Sequence, residues 1–338
     1  MDRVNYSKGI HLVDFEFHPA HCREGNPPVP VCMVVREWPS GLTHRYWQDV
    51  LAAMAHAPFQ TDGGALCVAY FASAEVDCFA SLGWSVPVNL LDLFAEFRVL
   101  TNGMRPAHGS GLLGALRYFG LSSINAEEKE AMRDLILSAG PWTESQRKDI
   151  LDYCESDVIA LADLLTAMLP AIDWPRALLR GQYMQAVSRI QANGVPLDMH
   201  TLGKLMAQWD TIQDQLIADM DQDYGVYNGR TFKADQWEQY LMGQGIPWAR
   251  LESGRLDMRD DTFKDMARAY PQVAPMRELR VSLSSMRLSG LQVGDDGRNR
   301  CLLSPFRART GRNQPSSSRF IFGPSVWMRG LIQPRLGW

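Results

Sequence analysis

The sequence predicts an α/β fold for about the first 165 residues and a mainly helical region beyond them. Two observations lead to this prediction. Short apolar runs of strand type are concentrated before residue 72, whereas segments of helical periodicity dominate after it. A chain of 338 residues is also long for one hydrophobic core, and the Trp174-Pro175 step marks a change in character. We therefore predict two domains, residues 1–172 and 173–338.

Four segments of strand type begin the first domain. They are His11–Phe17, Val31–Arg36, His44–Trp47 and Leu66–Phe71. A Pro-Ser-Gly turn separates the second from the third, so we expect the first three to form an antiparallel meander. The fourth segment is apolar throughout, which is typical of a buried strand.

Helical periodicity follows in both domains. The predicted helices cover residues 111–119, 125–138, 143–170, 177–192 and 199–223, with further short helices between 233 and 290. Thr143 is followed three residues later by Gln146, which predicts a capping box at the start of the third helix. The last forty residues are rich in Ser, Gly, Pro and Arg and show weak periodicity.

Composition excludes several classes of protein. The six cysteines include no C-x-x-C pair, which argues against a zinc site or a disulfide framework and favours a reducing cytoplasm. No apolar run approaches 18 residues, and the first ten residues lack the apolar core of a signal peptide. We therefore expect no membrane association and a cytoplasmic location.

Positive charge is concentrated at the end of the chain. Residues 277–338 contain eleven arginines, no lysine and three acids, a net charge of +8, whereas residues 1–276 carry −12. The planar guanidinium group binds phosphate oxygens in bidentate fashion, so an arginine-rich segment favours contact with nucleic acid. A solvated, solubilising tail is the alternative interpretation.

Two acids in the first strand lie on one face of it. Asp14 and Glu16 are two residues apart, and strand side chains alternate with a period of two. Two like charges on one buried face repel each other and are costly to desolvate, but a bound divalent cation removes that cost. The alternative is a solvated strand face.

Further polar residues occur later in the first domain. Tyr153 and Asp157 are four apart in the last predicted helix, so they lie on one helix face. Asp77 follows the fourth strand, with apolar neighbours on both sides. Each has an ordinary alternative, a helix-surface acid for Asp157 and a favourable helix-dipole contact for Asp77. Lys129 and Arg133 share another helix face, which we interpret as solvated, with contact to the substrate strand as the alternative.

The order of these acids carries more information than any one of them. D-x-E in the first strand, an Asp after a later strand and Y-x-x-x-D in the closing helix resemble the DnaQ-like (DEDD) exonuclease superfamily, in its tyrosine-bearing branch. The resemblance covers about residues 8–168. It implies a ribonuclease H-like α/β domain with a mixed sheet, which hydrolyses a single-stranded 3′ end. Ser73 and Val76 depart from the family's second motif, where Asn and an aromatic residue are usual.

The resemblance also implies the roles of individual residues. Two Mg²⁺ ions, for which Mn²⁺ can substitute, are held by Asp14, Glu16, Asp77 and Asp157, while Tyr153 orients the attacking water. Four acids without His or Cys suit Mg²⁺. Two ions about 3.5–4 Å apart can stabilise both the attacking and the leaving oxygen of a phosphodiester. A phenol with a pKa of about 10 is a poor base at pH 7, so Tyr153 positions the water that the metal acidifies.

Two segments of the second half resemble family A DNA polymerases, the bacterial DNA polymerase I group. Tyr183–Asp198 is similar to the helix and turn that precede the thumb, and Phe306–Ser318 is similar to the Thr-Gly-Arg motif that leads into the palm. The resemblance implies a mainly helical, partial polymerase region that binds primer–template DNA, with Arg312 at the minor groove of the primer terminus. The implied DNA contacts are Arg307, Arg309, Thr310, Arg312, Asn313 and Gln314.

The combined resemblance implies a proofreading-type 3′–5′ DNA exonuclease for DNA replication, in a bacterial cytoplasm or a phage-infected cell. The compact layout favours a phage-type polymerase. The chain ends at Trp338, before the family's first palm carboxylate, so we expect no nucleotide incorporation. A fragment, a truncated reading frame and one part of a split polymerase are all compatible with this ending. Two other functions stay open, an RNase D-like RNA 3′ exonuclease and a nucleic-acid-binding module with an inactive exonuclease site. Protein partners and oligomeric state cannot be read from the sequence.

Overall fold

The computed structural model describes residues 6–22, 25–121, 126–285, 291–316, 319–323 and 326–333. The chain divides into two compact units. The first comprises Met1–Val195 and Gln292–Phe320, and the second comprises Pro196–Leu291 and Ile321–Trp338. This division differs from the predicted boundary after residue 172, because the helix that follows this boundary and the segment 292–320 both pack within the first unit.

Strands and helices occur throughout the described part of the chain. The strands are β1 (Ile10–Pro19), β2 (Pro28–Trp38), β3 (Thr43–Trp47), β4 (Leu66–Ala69), β5 (Leu90–Asp92), β6 (Val195–Pro196), β7 (Tyr227–Asn228), β8 (Thr231–Phe232), β9 (Arg298–Asn299), β10 (Leu303–Ser304) and β11 (Gln314–Pro315). The helices are α1 (Gln48–Ala53), α2 (Ser73–Ser81), α3 (Leu93–Leu100), α4 (Leu112–Tyr118), α5 (Ala126–Leu137), α6 (Glu144–Met168), α7 (Trp174–Asn193), α8 (Met199–Asp221), α9 (Ala234–Gly243), α10 (Asp260–Ala269) and α11 (Ala274–Ser285). Of the helices described, none combines the length and the apolar character that a membrane span requires.

A five-stranded mixed sheet forms the centre of the first unit. Its order is β3-β2-β1-β4-β5. The first three strands form the predicted antiparallel meander, while β4 and β5 run parallel to β1. The predicted α/β class with a mixed sheet is confirmed. β5 is absent from the predicted strands, because three residues are too few to give a periodic signal.

The two faces of the sheet bury separate cores. Leu12 of β1 lies on the face that packs against α6, which contributes Ile150 and Val158. Val13 and Phe15 lie on the opposite face, which packs against α2. The alternation along β1 therefore decides which of its side chains face α6 and which face α2.

Helices α6 and α7 cover the sheet of the first unit. The predicted capping box at the start of α6 is confirmed, with Thr143 and Gln146 bonded reciprocally. Helix α7 approaches β5 closely at Gly181, where an added Cβ atom would lie 1.8 Å from the carbonyl oxygen of Leu90. Any side chain at this position would push α7 away from the sheet, so the close packing requires glycine.

The second unit has a core of its own around Trp237, which is fully buried. The Trp237 ring lies 5.5 Å from the Phe263 ring and 5.4 Å from the Trp248 ring, measured between centroids. Helices α8 to α11 surround this cluster, and β7 pairs with β8 in an antiparallel hairpin. The predicted helical character of residues 199–285 is confirmed.

Candidate metal centre

Three carboxylates meet where β1 faces α6. Asp14 and Glu16 lie on the same face of β1 as Leu12, and Asp157 projects from α6 with 6% of its surface exposed. One carboxylate oxygen of each lies within 4.8 Å of the others. The structure thus brings together three of the four acids that the sequence singled out. No other group of His, Cys, Asp and Glu side chains in the described ranges is arranged so that it could hold a metal ion.

The proximity of these acids perturbs their ionisation. Burial, reinforced by the charge of Asp157, raises the pKa of Asp14 to about 7, although Lys129 opposes the shift. Burial and then the charge of Asp14 raise the pKa of Glu16 well above its ordinary range. Asp14 and Glu16 therefore resist ionisation at neutral pH, and a divalent cation would remove this resistance.

The raised pKa of Asp14 predicts how the stability of the metal-free protein depends on pH. Because the folded value of about 7 exceeds the ordinary 3.8, the folded state binds this proton more tightly than the unfolded state. The resulting stabilisation is complete below pH 3.8 and is lost as the pH rises towards 7. We expect the melting temperature in EDTA to fall more steeply between pH 5 and pH 7.5 for the wild type than for Asp14→Asn. Equal slopes in thermal denaturation would contradict the assignment.

A lysine supplies a positive charge beside the three acids. The Lys129 ammonium group, on α5, donates hydrogen bonds of 2.8 and 3.2 Å to the two carboxylate oxygens of Asp157. It also lies 5.5 Å from the centroid of the Tyr153 ring. Our interpretation of Lys129 as a solvated residue was therefore wrong. Its helix pattern gave no sign of the contact, because Asp157 is 28 residues away in sequence.

Tyr153 lies one helical turn before Asp157 and is partly buried. Burial and the charge of Asp157 raise the pKa of its phenol above the ordinary value. The hydroxyl group therefore keeps its proton at neutral pH and can act as a hydrogen-bond donor. This state suits a group that orients a water molecule and does not suit a general base.

Asp77 does not join the three acids. Its carboxylate accepts a 2.6 Å hydrogen bond from the hydroxyl group of Ser188 on α7. Burial raises the pKa of Asp77 to about 6, while hydrogen bonds from Ser188 and Gln191 oppose the shift. The carboxylate predicted as the fourth metal ligand is thus hydrogen-bonded to Ser188, at the contact between α2 and α7.

Glu75, two residues earlier on α2, is a buried acid on which the charges of Asp14 and Glu16 act. It is 5% exposed, and its Oε2 atom has no hydrogen-bond partner among the described residues. The backbone N–H of Phe15, between Asp14 and Glu16 in β1, donates to this carboxylate. Burial and then the charges of Asp14 and Glu16 raise the pKa of Glu75 well above its ordinary range.

Helix geometry explains why Glu75 and Asp77 point in different directions. Successive residues of a helix are rotated by about 100°, so residues two apart project about 200° from each other. Glu75 shares the buried face of α2 with Cys78 and Phe79, whereas Asp77 shares a face with the exposed Ala80 and Ser81. The apolar periodicity of α2 was therefore the sequence signal that could have identified Glu75.

Asp92 organises the backbone next to this centre. It is 1% exposed and accepts hydrogen bonds from four backbone N–H groups. Two come from Phe71 and Ala72, at 3.0 Å each, in the turn that leads from β4 into α2. The other two come from Phe94 and Ala95, in the first turn of α3. Phe71 adopts φ = +67°, a left-handed conformation that a non-glycine residue rarely holds without such support.

We expect Asp92→Ala to lower the free energy of unfolding by at least about 3 kcal/mol, because four buried N–H groups lose their acceptor. Asp92→Asn should cost about 1–3 kcal/mol, since it keeps one oxygen. Urea denaturation would measure both. The exposed Asp163→Ala is the control and should stay within about 0.5 kcal/mol of wild type. A comparable loss of unfolding free energy in Asp163→Ala would show that the hydrogen bonds of Asp92 do not explain the effect.

The residues implied as DNA contacts lie in the first unit, on the segment around β10 and β11. Arg307, Arg309, Thr310 and Arg312 are exposed. Gln314, also exposed, begins β11, which pairs with β10. The Oδ1 atom of Asn313 is buried without a hydrogen-bond partner among the described residues. Gly311 has φ = +73°, a left-handed backbone conformation that favours glycine.

Comparisons with known proteins identify a structure of similar fold. Neither a protein-family model nor a curated protein sequence matches the chain. Among solved structures, it is similar to the POL domain of Pol1 from M. smegmatis, determined in complex with DNA primer-template and dNTP. The TM-score is 0.56 at 15% sequence identity, over 91% of this chain and 51% of the other. The fold resembles that of a DNA polymerase domain. The chain spans about half the length of that structure. At 15% sequence identity, the similarity is evidence for the fold alone.

The residues of the candidate centre fit a divalent cation of the magnesium type. The donors are carboxylate oxygens, which Mg²⁺ and Mn²⁺ prefer, and no sulfur or imidazole ligand is among the three clustered side chains. The buried Oε2 atom of Glu75 has no hydrogen-bond partner among the described residues. A buried carboxylate oxygen without a hydrogen bond is costly unless a cation or water binds it.

Proposed function

We propose that the chain is a proofreading-type 3′–5′ exonuclease that hydrolyses DNA phosphodiesters with two divalent cations, joined to part of a family A polymerase region. The observation that carries the proposal is the meeting of Asp14, Glu16 and Asp157 within 4.8 Å, in a fold that resembles a DNA polymerase domain. The order of D-x-E and Y-x-x-x-D along the chain supports the same function.

In this proposal Asp14, Glu16 and Asp157 hold the cations. Glu75 is a better candidate than Asp77 for the fourth acid, because it has a buried oxygen without a hydrogen-bond partner and accepts a hydrogen bond from the Phe15 backbone in β1. When bound, the cations would stabilise charge on the attacking and the leaving oxygen. Tyr153 keeps its proton and donates a hydrogen bond that orients the attacking water. Lys129 places a positive charge beside Asp157.

DNA is the proposed substrate and partner. The related polymerase domain was determined with a DNA primer-template, which supports this choice. A single-stranded 3′ end would reach the carboxylates, while the exposed Arg309, Thr310, Arg312 and Gln314 would contact a primer–template duplex together with Arg307 and Asn313. The arginines would contribute phosphate contacts, which do not depend on base sequence.

One observation favours a second candidate, a nucleic-acid-binding module with an inactive exonuclease site. Asp77, the acid at the position of the family's second motif, is engaged by Ser188 rather than by the other acids. If the Asp at that position is indispensable, hydrolysis would fail although binding persists. The RNase D-like alternative would use the same carboxylates as the DNA exonuclease, with RNA as the substrate.

A nuclease assay separates these functions. We expect a 5′-labelled single-stranded DNA to be shortened from its 3′ end in Mg²⁺ or Mn²⁺ and to stay intact in EDTA. A DNA with a 3′-terminal phosphorothioate linkage is the control and should resist degradation. Degradation of RNA but not of DNA of the same sequence would favour the RNase D-like alternative. Binding without any hydrolysis, in either metal, would favour the inactive module.

A further inference from the structure

A basic cavity of about 420 Å³ lies in the first unit, and none of the three clustered acids lines it. It is bounded by α3, the loop 101–111 and the segment 306–307. Arg98, Arg105 and Arg307 line it together with the rings of Phe94 and Phe306. Among the described residues that form the lining, none is acidic. We refer to it as the arginine cavity.

The arginine cavity holds positive charges that are close to one another. The Arg98 guanidinium donates to the Ser304 hydroxyl at 2.8 Å and to the Pro305 carbonyl at 2.7 Å, and lies 4.1 Å above the Phe94 ring. All of these partners are neutral. Burial, and then the charge of Arg307, lower the pKa of Arg98. Tyr70 and Asp92 act in the opposite direction, but the Asp92 carboxylate already accepts four backbone hydrogen bonds.

Several contacts hold residues 304–309 against α3 and the loop 101–111. Arg98 binds residues 304 and 305, directly before Phe306. Phe306 adopts φ = +57° and packs its ring 5.5 Å from that of Tyr183. Asn102 donates to the backbone carbonyl of Arg309 at 3.2 Å. An unfavourable backbone conformation at Phe306 persists because surrounding contacts determine it, and it aims Arg307 at the cavity.

The lining selects one class of ligand. Guanidinium groups bind phosphate oxygens strongly, and an anion between Arg98 and Arg307 would relieve their repulsion. A positively charged groove with an aromatic side chain is the combination that proteins use for single-stranded nucleic acid. A concavity of this size lies within the range of small-ligand pockets.

We propose that the arginine cavity binds the phosphate backbone of single-stranded DNA through Arg105 and Arg307, with Arg98 as the positioning residue. The site shares Arg307 with the proposed duplex contacts, but Arg312 is not among its lining residues. The inference rests on the proposed function for the choice of DNA as the ligand. It does not depend on hydrolysis, so it can fail while the exonuclease proposal stands, and the reverse also holds.

The test is fluorescence anisotropy in EDTA, with a labelled 12-nucleotide single strand and a 12-base-pair duplex over a series of salt concentrations. Log affinity falls with log salt. For the single strand, we expect this dependence to be flatter in the double variant Arg105→Ser/Arg307→Ser, by about 1.4 in slope, since each lost phosphate contact removes about 0.7. At 0.1 M salt this corresponds to roughly a 25-fold loss of affinity. Duplex affinity should fall by only about 8-fold at 0.1 M salt, because Arg307 is the one proposed duplex contact of the two and a single such contact removes about 0.9 from the slope.

Two control variants sharpen the test. Arg312→Ser should weaken duplex binding and spare the single strand. The exposed Arg189→Ser, on α7 outside the cavity lining, should affect neither. Melting temperatures would confirm that all variants fold. Unchanged single-strand affinity in the double variant would overturn the proposal, as would an equal loss for single strand and duplex, which would indicate a general effect of surface charge.

Discussion

The double variant Asp14→Asn/Glu16→Gln is expected to lose nuclease activity by at least about 10³-fold, because the metal contribution to such reactions is worth several kcal/mol. The same variant should melt at a higher temperature than wild type in EDTA at neutral pH. Burial and mutual repulsion disfavour the ionised acids in the metal-free protein, as the raised pKa values of both residues indicate. Single-turnover hydrolysis of labelled single-stranded DNA and thermal denaturation would measure the two effects.

The opposite directions of these effects make the result informative. A variant that is inactive because it is misfolded would melt at a lower temperature. The conservative amides preserve the shape of both side chains, so packing against α6 is retained. Near wild-type hydrolysis by a folded double variant would show that the three acids are not the catalytic centre.

Glu75→Gln is expected to weaken Mn²⁺ binding and to lower the rate of hydrolysis, each by about 10- to 100-fold. Asp77→Asn should change Mn²⁺ affinity less than about threefold, because its carboxylate is bonded to Ser188. The two variants differ by one isosteric change on the same helix turn, which makes each the control for the other. Mn²⁺ affinity, measured by electron paramagnetic resonance of the free ion, is independent of catalysis.

The reverse outcome would restore the motif-based assignment. If Asp77→Asn lost Mn²⁺ and Glu75→Gln kept it, α2 would have to rotate when metal binds. A loss in neither variant would limit the metal site to Asp14, Glu16 and Asp157. The proposed exonuclease could survive either result, since the three clustered acids carry it.

Local periodicity was sufficient to predict part of the candidate centre. The two-residue spacing of Asp14 and Glu16 and the four-residue spacing of Tyr153 and Asp157 follow directly from strand and helix geometry. Which acid of α2 faces them depends on the phase of that helix, and counting positions within a motif selected Asp77. Because Glu75 lies among apolar residues on the buried face, helix phase was the better guide.

Contacts between distant parts of the chain were harder to predict. Lys129 reaches Asp157 from another helix, and Arg98 holds residues that lie more than 200 positions later. Such pairs leave no periodic signal in a single sequence. The same applies to the packing of α7 on β5, which depends on the missing side chain at Gly181 and moved the division between the units beyond the predicted boundary.

The hydrogen bonds of Asp92 predict how substitutions at this residue behave in a mutational scan. One carboxylate fixes the turn that begins α2, which carries Glu75, and the turn that begins α3, which carries Arg98. A substitution at residue 92 would therefore disturb both the metal centre and the arginine cavity, although its side chain is bonded to none of the three clustered acids and reaches the cavity wall only through the backbone of Phe94. In a mutational scan scored by activity alone, residue 92 would be as intolerant as Asp14. Scoring protein abundance in parallel would separate them, because Asp92 variants should be depleted from cells while Asp14 variants accumulate normally.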